Sequence, residues 1–254
     1  MSSDRITAES ITITGYGDDQ IEAYLAVPDR EQPYGGVVVI HHMPGYDAWS
    51  KEIVRTFAVH GYASLMPNLH YREAPGASPD DASAASRAAG GVPDQRLVGD
   101  VAAAAAHLRA LPDCNGRIGT IGYCSGGRQS FLAACSLPLQ AAVDCYGAFV
   151  VAKPPAESGS KVTPILDLAP NLSCPLLGLF GLEDKYPGPD EVAALDAELT
   201  RLGKQHEFHS FEGAGHAFFA VNRPAYRPEA AMQGWNHIWE FFGRHLTGST
   251  PAGV

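Results

Sequence analysis

Gly122-Tyr123-Cys124-Ser125-Gly126 is the stretch of sequence that decides the fold, because it joins two different patterns. Residues 117–122 before it are typical of a short buried strand, and residues 127–135 after it are typical of a helix with an apolar face. Glycines two positions either side of Cys124 leave room for a sharp strand-to-helix turn, which holds the central side chain clear of the sheet. The dipole at a helix N-terminus favours a thiolate, so Cys124 is predicted to be a nucleophile.

Length and composition are typical of one globular domain over residues 1–254, with 45% apolar residues. The net charge of −10 argues against a nucleic-acid partner, and an anionic membrane surface would repel the chain. No apolar run approaches the roughly 20 residues that span a bilayer, and the N-terminus lacks the pattern of a signal peptide. We therefore expect neither a nucleic-acid partner nor a membrane partner, and an anionic substrate would need a locally positive pocket.

The five cysteines have an odd count and neither the spacing of disulfide pairs nor that of metal ligands. This usage favours a reducing, cytoplasmic location in which most of the thiols are simply buried. Cys135 and Cys145 fall in apolar segments and are expected to fill the core.

Strand patterns alternate with helix patterns along the rest of the chain. A hairpin is predicted from residues 10–14 and 21–27, with further strands at 36–40, 63–66, 141–146, 176–180 and 207–211. Helices are predicted at residues 49–60, 94–110, 191–202 and about 229–245. Such alternation predicts an α/β fold, a three-layer α/β/α sandwich with a mostly parallel central sheet.

Two polar, proline-containing stretches are predicted as loops, residues 67–93 and residues 153–171. Residues 153–171 either close over the substrate pocket or lie apart from it, and the sequence leaves both arrangements open. The last few residues, 247–254, are expected to fray.

A nucleophile on such a sheet needs an acid and then a histidine, each on a loop after a later strand. Asp184 follows the strand at 176–180, and His216 follows the next one in a glycine-rich loop. His216 would take the thiol proton of Cys124, and Asp184 would orient the imidazole and stabilise its charged form. Glu183 is a rival for the acid, although a short extended tip would point it the opposite way.

Two backbone N–H groups are predicted to stabilise the oxyanion that forms in such a reaction. One belongs to Ser125, directly after the nucleophile. The other comes from the loop around His42 and Met43, with Met43 as the predicted donor.

Three motifs together resemble the dienelactone hydrolase family: Gly122-Tyr-Cys-Ser-Gly-Gly127, Leu69-His-Tyr-Arg-Glu-Ala-Pro-Gly76 and Gly213-Ala-Gly-His-Ala-Phe-Phe219. The similarity runs over about residues 11–246. It implies a single α/β-hydrolase domain, a Cys-His-Asp triad carried by Cys124, His216 and Asp184, and neither a metal nor an organic cofactor. The family's reference activity is the opening of an unsaturated lactone that bears a carboxylate, and many relatives act on other esters.

The resemblance also implies substrate-binding residues. Arg72 occupies the position of an arginine that binds the substrate carboxylate, although a solvated loop arginine is the alternative. Ala220 stands where the family has a second arginine, and Arg223, three residues later, is the candidate that would reach the pocket in its place. Tyr71 and Phe218 are expected to line the pocket, unless these aromatic side chains only pack.

His42 stands where relatives of the reference lactonase carry a glutamate that pairs with the cysteine. One hypothesis is that His42 contacts the Cys124 sulfur, and the alternative is that it only positions the oxyanion loop. A zinc site is not expected, because the adjacent His41 and His42 would point to opposite faces of a strand.

The sequence thus predicts a cysteine-dependent hydrolase of small, carboxylate-bearing esters or lactones. The alternatives are a general carboxylesterase or acyltransferase that acts on uncharged esters, and a ligand-binding relative without turnover. Both a monomer and a homodimer remain open.

Overall fold

A computed structural model of the chain describes residues 5–29, 33–156 and 160–247. It contains an eight-stranded sheet in the order β1-β2-β4-β3-β5-β6-β7-β8. The strands are β1 (Ile6–Thr14), β2 (Gln20–Pro28), β3 (Tyr34–Ile40), β4 (Ala63–Pro67), β5 (Cys114–Tyr123), β6 (Ala141–Cys145), β7 (Leu176–Gly181) and β8 (His206–Phe211). β1 and β2 form the predicted antiparallel hairpin, β2 pairs antiparallel with β4, and the strands from β3 to β8 run parallel.

Helices cover both faces of the sheet, as predicted for a three-layer sandwich. They are α1 (Ala48–Val59), α2 (Pro79–Ala89), α3 (Asp94–Arg109), α4 (Ser125–Ser136), α5 (Pro189–Arg201) and α6 (Pro228–Phe242). Helices α3, α4 and α5 pack into one core cluster, and helices α1 and α6 pack into the other. A wider helical turn, Gly243–Thr247, continues α6.

The continuous apolar run of β3 shows why both faces are covered. Val38 and Ile40 belong to the cluster with α3 and α4, whereas Val37 and Val39 belong to the cluster with α1 and α6. Successive side chains of a strand point to opposite faces, so a strand that is buried on both sides needs apolar residues at every position. The parallel direction of β3 to β8 brings the loops at their carboxyl ends to one edge of the sheet.

The prediction of a loop over residues 67–93 is wrong in its second half, because α2 lies there. Ser78 caps this helix by accepting a hydrogen bond from the Asp81 N–H at 3.2 Å, Pro79 follows it, and Gly90 ends the helix with φ 95°. The stretch 153–171 contains a short 3-10 helix, Leu166–Asn171. Fraying was expected for residues 247–254, of which all but Thr247 lie outside the described residues.

None of the helices in the described ranges is long and apolar enough to cross a membrane. That the chain forms a single domain stays a prediction.

Candidate active site

The turn between β5 and α4 is a strained nucleophile elbow. Cys124 has φ 58° and ψ −122°, a conformation that L-residues rarely adopt. A Cβ on Gly122 would lie 1.8 Å from the Gly126 carbonyl oxygen, and a Cβ on Gly126 would lie 2.2 Å from the Ile40 oxygen. The turn can therefore close only with glycine at both positions. The Cys124 N–H donates to the Cys145 carbonyl at 3.0 Å, which ties the elbow to β6.

Cys124, His216 and Asp184 form a chain of hydrogen bonds across the loops after β5, β8 and β7. His216 Nδ1 lies 2.8 Å from Asp184 Oδ2, and the same imidazole is hydrogen-bonded to Cys124. The other Asp184 oxygen accepts the Tyr186 N–H at 2.9 Å, which fixes the orientation of the carboxylate. Asp184 is buried, whereas Glu183 is exposed. Of the two acids considered, Asp184 is therefore the one that contacts the histidine.

The surroundings of His216 favour its charged form. Burial lowers the pKa of the imidazole, but the hydrogen bonds to Asp184 and Cys124 outweigh it and raise the pKa from 6.5 to about 10. The ring of the buried Tyr146 packs edge-on against His216, with 5.2 Å between ring centroids. An imidazolium beside Cys124 is the arrangement that stabilises a thiolate.

The loop after β3 carries the predicted oxyanion donor Met43, which faces the same cavity as Cys124 and Ser125. Ser125 is the first residue of α4, so its N–H has no acceptor within the helix. The Met43 and Ser125 N–H groups therefore remain candidates for the oxyanion hole.

His42 holds this loop in place rather than contacting the nucleophile. Its Nε2 lies 2.9 Å from Asp47 Oδ2, and its ring packs against Trp49. Asp47 in turn caps α1, because its other oxygen accepts the Ser50 N–H at 2.8 Å. Burial raises the pKa of Asp47, but the bonds from His42 and Ser50 lower it to about 2. Of the two roles considered for His42, the geometry supports positioning of the oxyanion loop, and His42 is not among the residues that line the cavity.

His41 lies just after β3 and contacts the loop after β4, whereas His42 contacts Asp47 and Trp49. The His41 Nδ1 lies 2.8 Å from the His42 carbonyl oxygen, and its Nε2 accepts the Leu69 N–H at 3.2 Å. Burial and the neighbouring His70 lower the pKa of His41 to about 3. His41 is thus a neutral, structural histidine, and no cluster of three or more metal-binding side chains occurs in the part of the chain that the structure describes.

A cavity of about 270 Å³ opens above the elbow. It is lined by Met43, Arg87, Gly90, Gly91, Val92, Cys124, Ser125, Arg128, Gln129, Ala148, Phe149, Ser160 and Val162. The walls are mainly apolar, and the charged side chains among them are two arginines. The stretch 153–171 contributes Ser160 and Val162 to this lining.

Arg72 does not line the cavity, contrary to the expectation from its position in the motif. Its guanidinium donates to both oxygens of Asp100, at 2.8 and 3.0 Å, and also binds Asp19 and the Tyr16 carbonyl. The Asp100 side chain is fully buried. All three nitrogens of Arg72 are therefore engaged by the protein, and the residue connects the turn of the β1–β2 hairpin to α3.

The other residues proposed for substrate contact also lie elsewhere. Phe218 is fully buried, with its ring centroid 5.2 Å from that of Tyr146 and 4.7 Å from that of Phe219. Tyr71 is half-buried and packs against the core cluster to which α3, α4 and α5 contribute. Arg223 is exposed in the loop after His216. The expectation that Phe218 and Tyr71 line the pocket is wrong because both pack into the protein interior.

Sequence reasoning missed Arg87 and Phe149. Arg87 lies in the last turn of α2, which was predicted as loop, and Phe149 follows β6. A helix signal was present for the first, the Ser78-Pro79 start followed by alanines and Gly90.

Comparison with known proteins shows the family of the chain. Residues 21–246 match the Dienelactone hydrolase family. The chain belongs to this family. Membership supports hydrolysis of an ester or a lactone as its activity, on an α/β-hydrolase fold.

Individual members of the family are similar over nearly their whole length. A protein of Escherichia coli K12 named "Putative carboxymethylenebutenolidase" is 31% identical over 249 residues, which cover 95% of this chain and 89% of the relative. A Bradyrhizobium protein named "Probable 2-oxo-3-(5-oxofuran-2-ylidene)propanoate lactonase" is 29% identical and covers 98% of both chains. The crystal structure titled "Putative Dienelactone Hydrolase" from Klebsiella pneumoniae superposes with a TM-score of 0.84 at 26% identity, over 95% of this chain and 100% of that one.

Proposed function

We propose that this chain hydrolyses small esters or lactones through a Cys124-His216-Asp184 triad and a thioester intermediate. The observation that supports the proposal is the hydrogen-bonded chain from Cys124 through His216 to Asp184, which starts at a strained elbow and faces a cavity. A buried acid, a charged imidazole and a nucleophile in this order are the components that acyl transfer requires.

The first half of the reaction forms the thioester. The His216 imidazolium already holds on Nε2 the proton that Cys124 has given up, and the Cys124 sulfur attacks the carbonyl carbon of the substrate. The Ser125 and Met43 N–H groups donate to the oxyanion of the tetrahedral intermediate. When this intermediate collapses, the C–O bond breaks and His216 returns the proton to the leaving alkoxide, which departs as an alcohol or, in a lactone, stays attached as a hydroxyl group.

The second half regenerates the enzyme. His216 accepts a proton from water, which attacks the thioester carbonyl, while Asp184 stabilises the imidazolium and keeps Nδ1 protonated. The C–S bond then breaks, the thiolate pairs again with the His216 imidazolium, and a carboxylic acid is released. No metal or organic cofactor is part of this scheme.

The cavity suits a small substrate with an apolar body. Its volume of about 270 Å³ and the side chains of Val92, Phe149 and Val162 would exclude water from the acyl part. A cytoplasmic location, and the choice between a monomer and a homodimer, stay predictions.

Mass spectrometry during turnover of an activated ester tests the proposal. We expect wild-type protein mixed with p-nitrophenyl acetate to gain one acetyl group on Cys124, which forms in a burst and then decays. Cys124→Ala removes the nucleophile and should abolish both the adduct and the hydrolysis. The matched variant Cys145→Ala removes a buried thiol of β6 and should keep both. Undiminished hydrolysis by Cys124→Ala would refute the triad.

A further inference from the structure

Asp144 is a buried carboxyl next to the elbow that the triad does not use. It lies in β6 with its side chain fully enclosed, and its partners in the neighbouring strands are Gly122 of β5 and Gly178 of β7. A Cβ on Gly127, in the first turn of α4, would lie 2.3 Å from Asp144 Oδ1, and a Cβ on Gly147 would lie 2.4 Å from the same oxygen. The carboxyl therefore fills a space that two glycines leave between α4 and the loop after β6.

One oxygen of this carboxyl makes a hydrogen bond, and the other does not. Oδ1 accepts the Gly147 N–H at 2.7 Å, whereas Oδ2 is buried and has no hydrogen-bond partner among the described residues. Burial raises the pKa of Asp144 to about 7, although the bond from Gly147 lowers it. The site thus disfavours the charged form, and what the loop needs from Asp144 is an acceptor oxygen rather than a charge.

The loop that this bond holds, residues 146–149, belongs to the active site at both ends. Tyr146 packs against the imidazole of the triad, and Phe149 lines the cavity. Both have a positive φ, 45° and 66°, which residues other than glycine rarely adopt. Such backbone persists only where the surrounding contacts determine it. The bond from Gly147 to Asp144 lies between the two strained residues, so it is placed to hold both of them.

We propose that Asp144 is a positioning residue that holds the loop 146–149 against α4 and thereby orients Tyr146 beside the triad histidine and Phe149 in the cavity wall. This inference rests on the proposed function and adds to it a residue that does not line the cavity. The Tyr146 ring in its place restricts rotation of the imidazole, which favours proton transfer for every ester. Phe149 in its place gives the apolar part of a longer acyl group a surface on which to pack.

Two substitutions of Asp144 and two esters test this role. Asp144→Ala removes the acceptor, whereas Asp144→Asn keeps an oxygen that accepts the Gly147 N–H and carries no charge. For Asp144→Ala we expect kcat/KM for p-nitrophenyl acetate to fall by about tenfold or more, because the imidazole is no longer held. The ratio of kcat/KM for p-nitrophenyl valerate to that for the acetate should also fall, by about threefold or more, because the longer acyl chain loses its packing surface. Asp144→Asn should keep both quantities within about twofold of wild type.

Thr120→Val is the matched control for a general loss of stability. Thr120 is as buried as Asp144, and its hydroxyl oxygen lies 2.9 Å from that of Ser130, so the substitution removes a bond between β5 and α4 but none to the loop. All variants are assayed below their thermal unfolding transitions. Thr120→Val should unfold at a lower temperature than wild type, while its kcat/KM values should stay within about twofold of wild type.

The outcomes separate this inference from the proposed function. Asp144→Ala with the two kcat/KM values of wild type, or Asp144→Asn with losses equal to those of Asp144→Ala, would overturn the role of Asp144 while the triad stands. Equal losses in Thr120→Val would overturn it as well, because they would show only the effect of a weakened fold. If Asp144→Ala does not fold, Asp144→Ser, whose hydroxyl is too short to reach the Gly147 N–H, takes its place with the same expectations. Persisting hydrolysis in Cys124→Ala would instead refute the proposed function.

Discussion

Glu183 and Asp184 are neighbours after β7, but their carboxylates have different surroundings. Asp184 binds His216 and is buried, whereas the Glu183 side chain faces solvent. We expect Asp184→Asn to lower kcat by about 100-fold or more, since an amide neither stabilises the imidazolium nor secures the tautomer. Glu183→Gln should retain activity within about twofold. Steady-state kinetics on p-nitrophenyl acetate measures both variants, and an equal loss in the two would contradict the assignment of the acid.

The raised pKa of His216 predicts how the folding free energy depends on pH. Hydrogen bonds to Asp184 and Cys124 overcome the opposing effect of burial and raise the pKa from 6.5 to about 10. Protonated His216 therefore stabilises the folded state, fully below pH 6.5, and this contribution is lost as the pH rises towards about 10. Asp184→Asn removes the main partner of the charge. We expect the stability gap between wild type and Asp184→Asn to be wide at pH 6 and to narrow by pH 10.5.

Urea unfolding at a series of pH values measures this gap. Glu183→Gln is the control, and its stability should follow that of wild type across the range. A gap between wild type and Asp184→Asn that stays constant, or that widens as the pH rises, would show that His216 is not held in its charged form.

At the scale of elements, Arg72 joins the β1–β2 hairpin to α3 through the buried Asp100. Arg72→Gln leaves that carboxylate without its cation, and we expect a loss of about 3–5 kcal/mol in the free energy of unfolding. The ratio of kcat/KM values for the mono-p-nitrophenyl ester of glutaric acid and for p-nitrophenyl valerate, an anionic and an uncharged ester with acyl chains of equal length, should not change, because Arg72 does not line the cavity. Thermal unfolding and the ratio of the two kcat/KM values measure the two effects.

The double variant Arg72→Gln/Asp100→Asn sharpens this prediction. It removes both charges and should recover part of the lost stability, since no unpaired buried carboxylate remains. If Arg72→Gln stayed stable but lowered kcat/KM for the anionic ester relative to the uncharged one, Arg72 would be a substrate-binding residue after all.

Helix α2 marks a limit of prediction from the sequence. Strands and helices with continuous or periodic large apolar residues, such as β3 and α1, were predicted within a few residues of their observed bounds. The buried residues of α2 are Ala82, Ser83 and Ser86. Small side chains give little hydrophobic periodicity, so the only signals for this helix were its capping residues. Because α2 was missed, Arg87 was missed with it.

At the scale of the whole molecule, the parallel sheet explains which parts of the site were predictable. Cys124, Asp184 and His216 each follow a parallel strand, and such strands end at the same edge of the sheet. Their proximity therefore followed from the strand pattern. The partners of Arg72 lie 28, 53 and 56 residues away in sequence, and local patterns carry no information about such contacts. The position of Arg72 in its motif therefore suggested substrate binding, although its side chain is fully engaged by other parts of the protein.

The C-terminal helix α6 covers one face of this sheet, so its buried residues contribute to the stability of the whole fold. Phe242 is fully buried, and its ring packs against Phe57 of α1 with 5.8 Å between centroids. A Cβ on Gly119 would lie 2.9 Å from the Phe242 ring, so the side chain also lies directly on β5. Phe242→Ala would leave a cavity where two helices and the sheet meet, and we expect a loss of about 3–5 kcal/mol in the free energy of unfolding.

Met232 on the same helix is 63% exposed, and Met232→Ala should change stability by less than about 0.5 kcal/mol. Urea unfolding followed by circular dichroism and by ester hydrolysis compares the two variants. Both signals should report the same lowered midpoint for Phe242→Ala if α6 and the elbow on β5 unfold as one cooperative unit. The elbow follows β5, and α6 packs on the same strand, so one cooperative unit should lose both signals together. Loss of activity at a lower urea concentration than loss of helix would mean instead that the elbow opens before α6 unfolds.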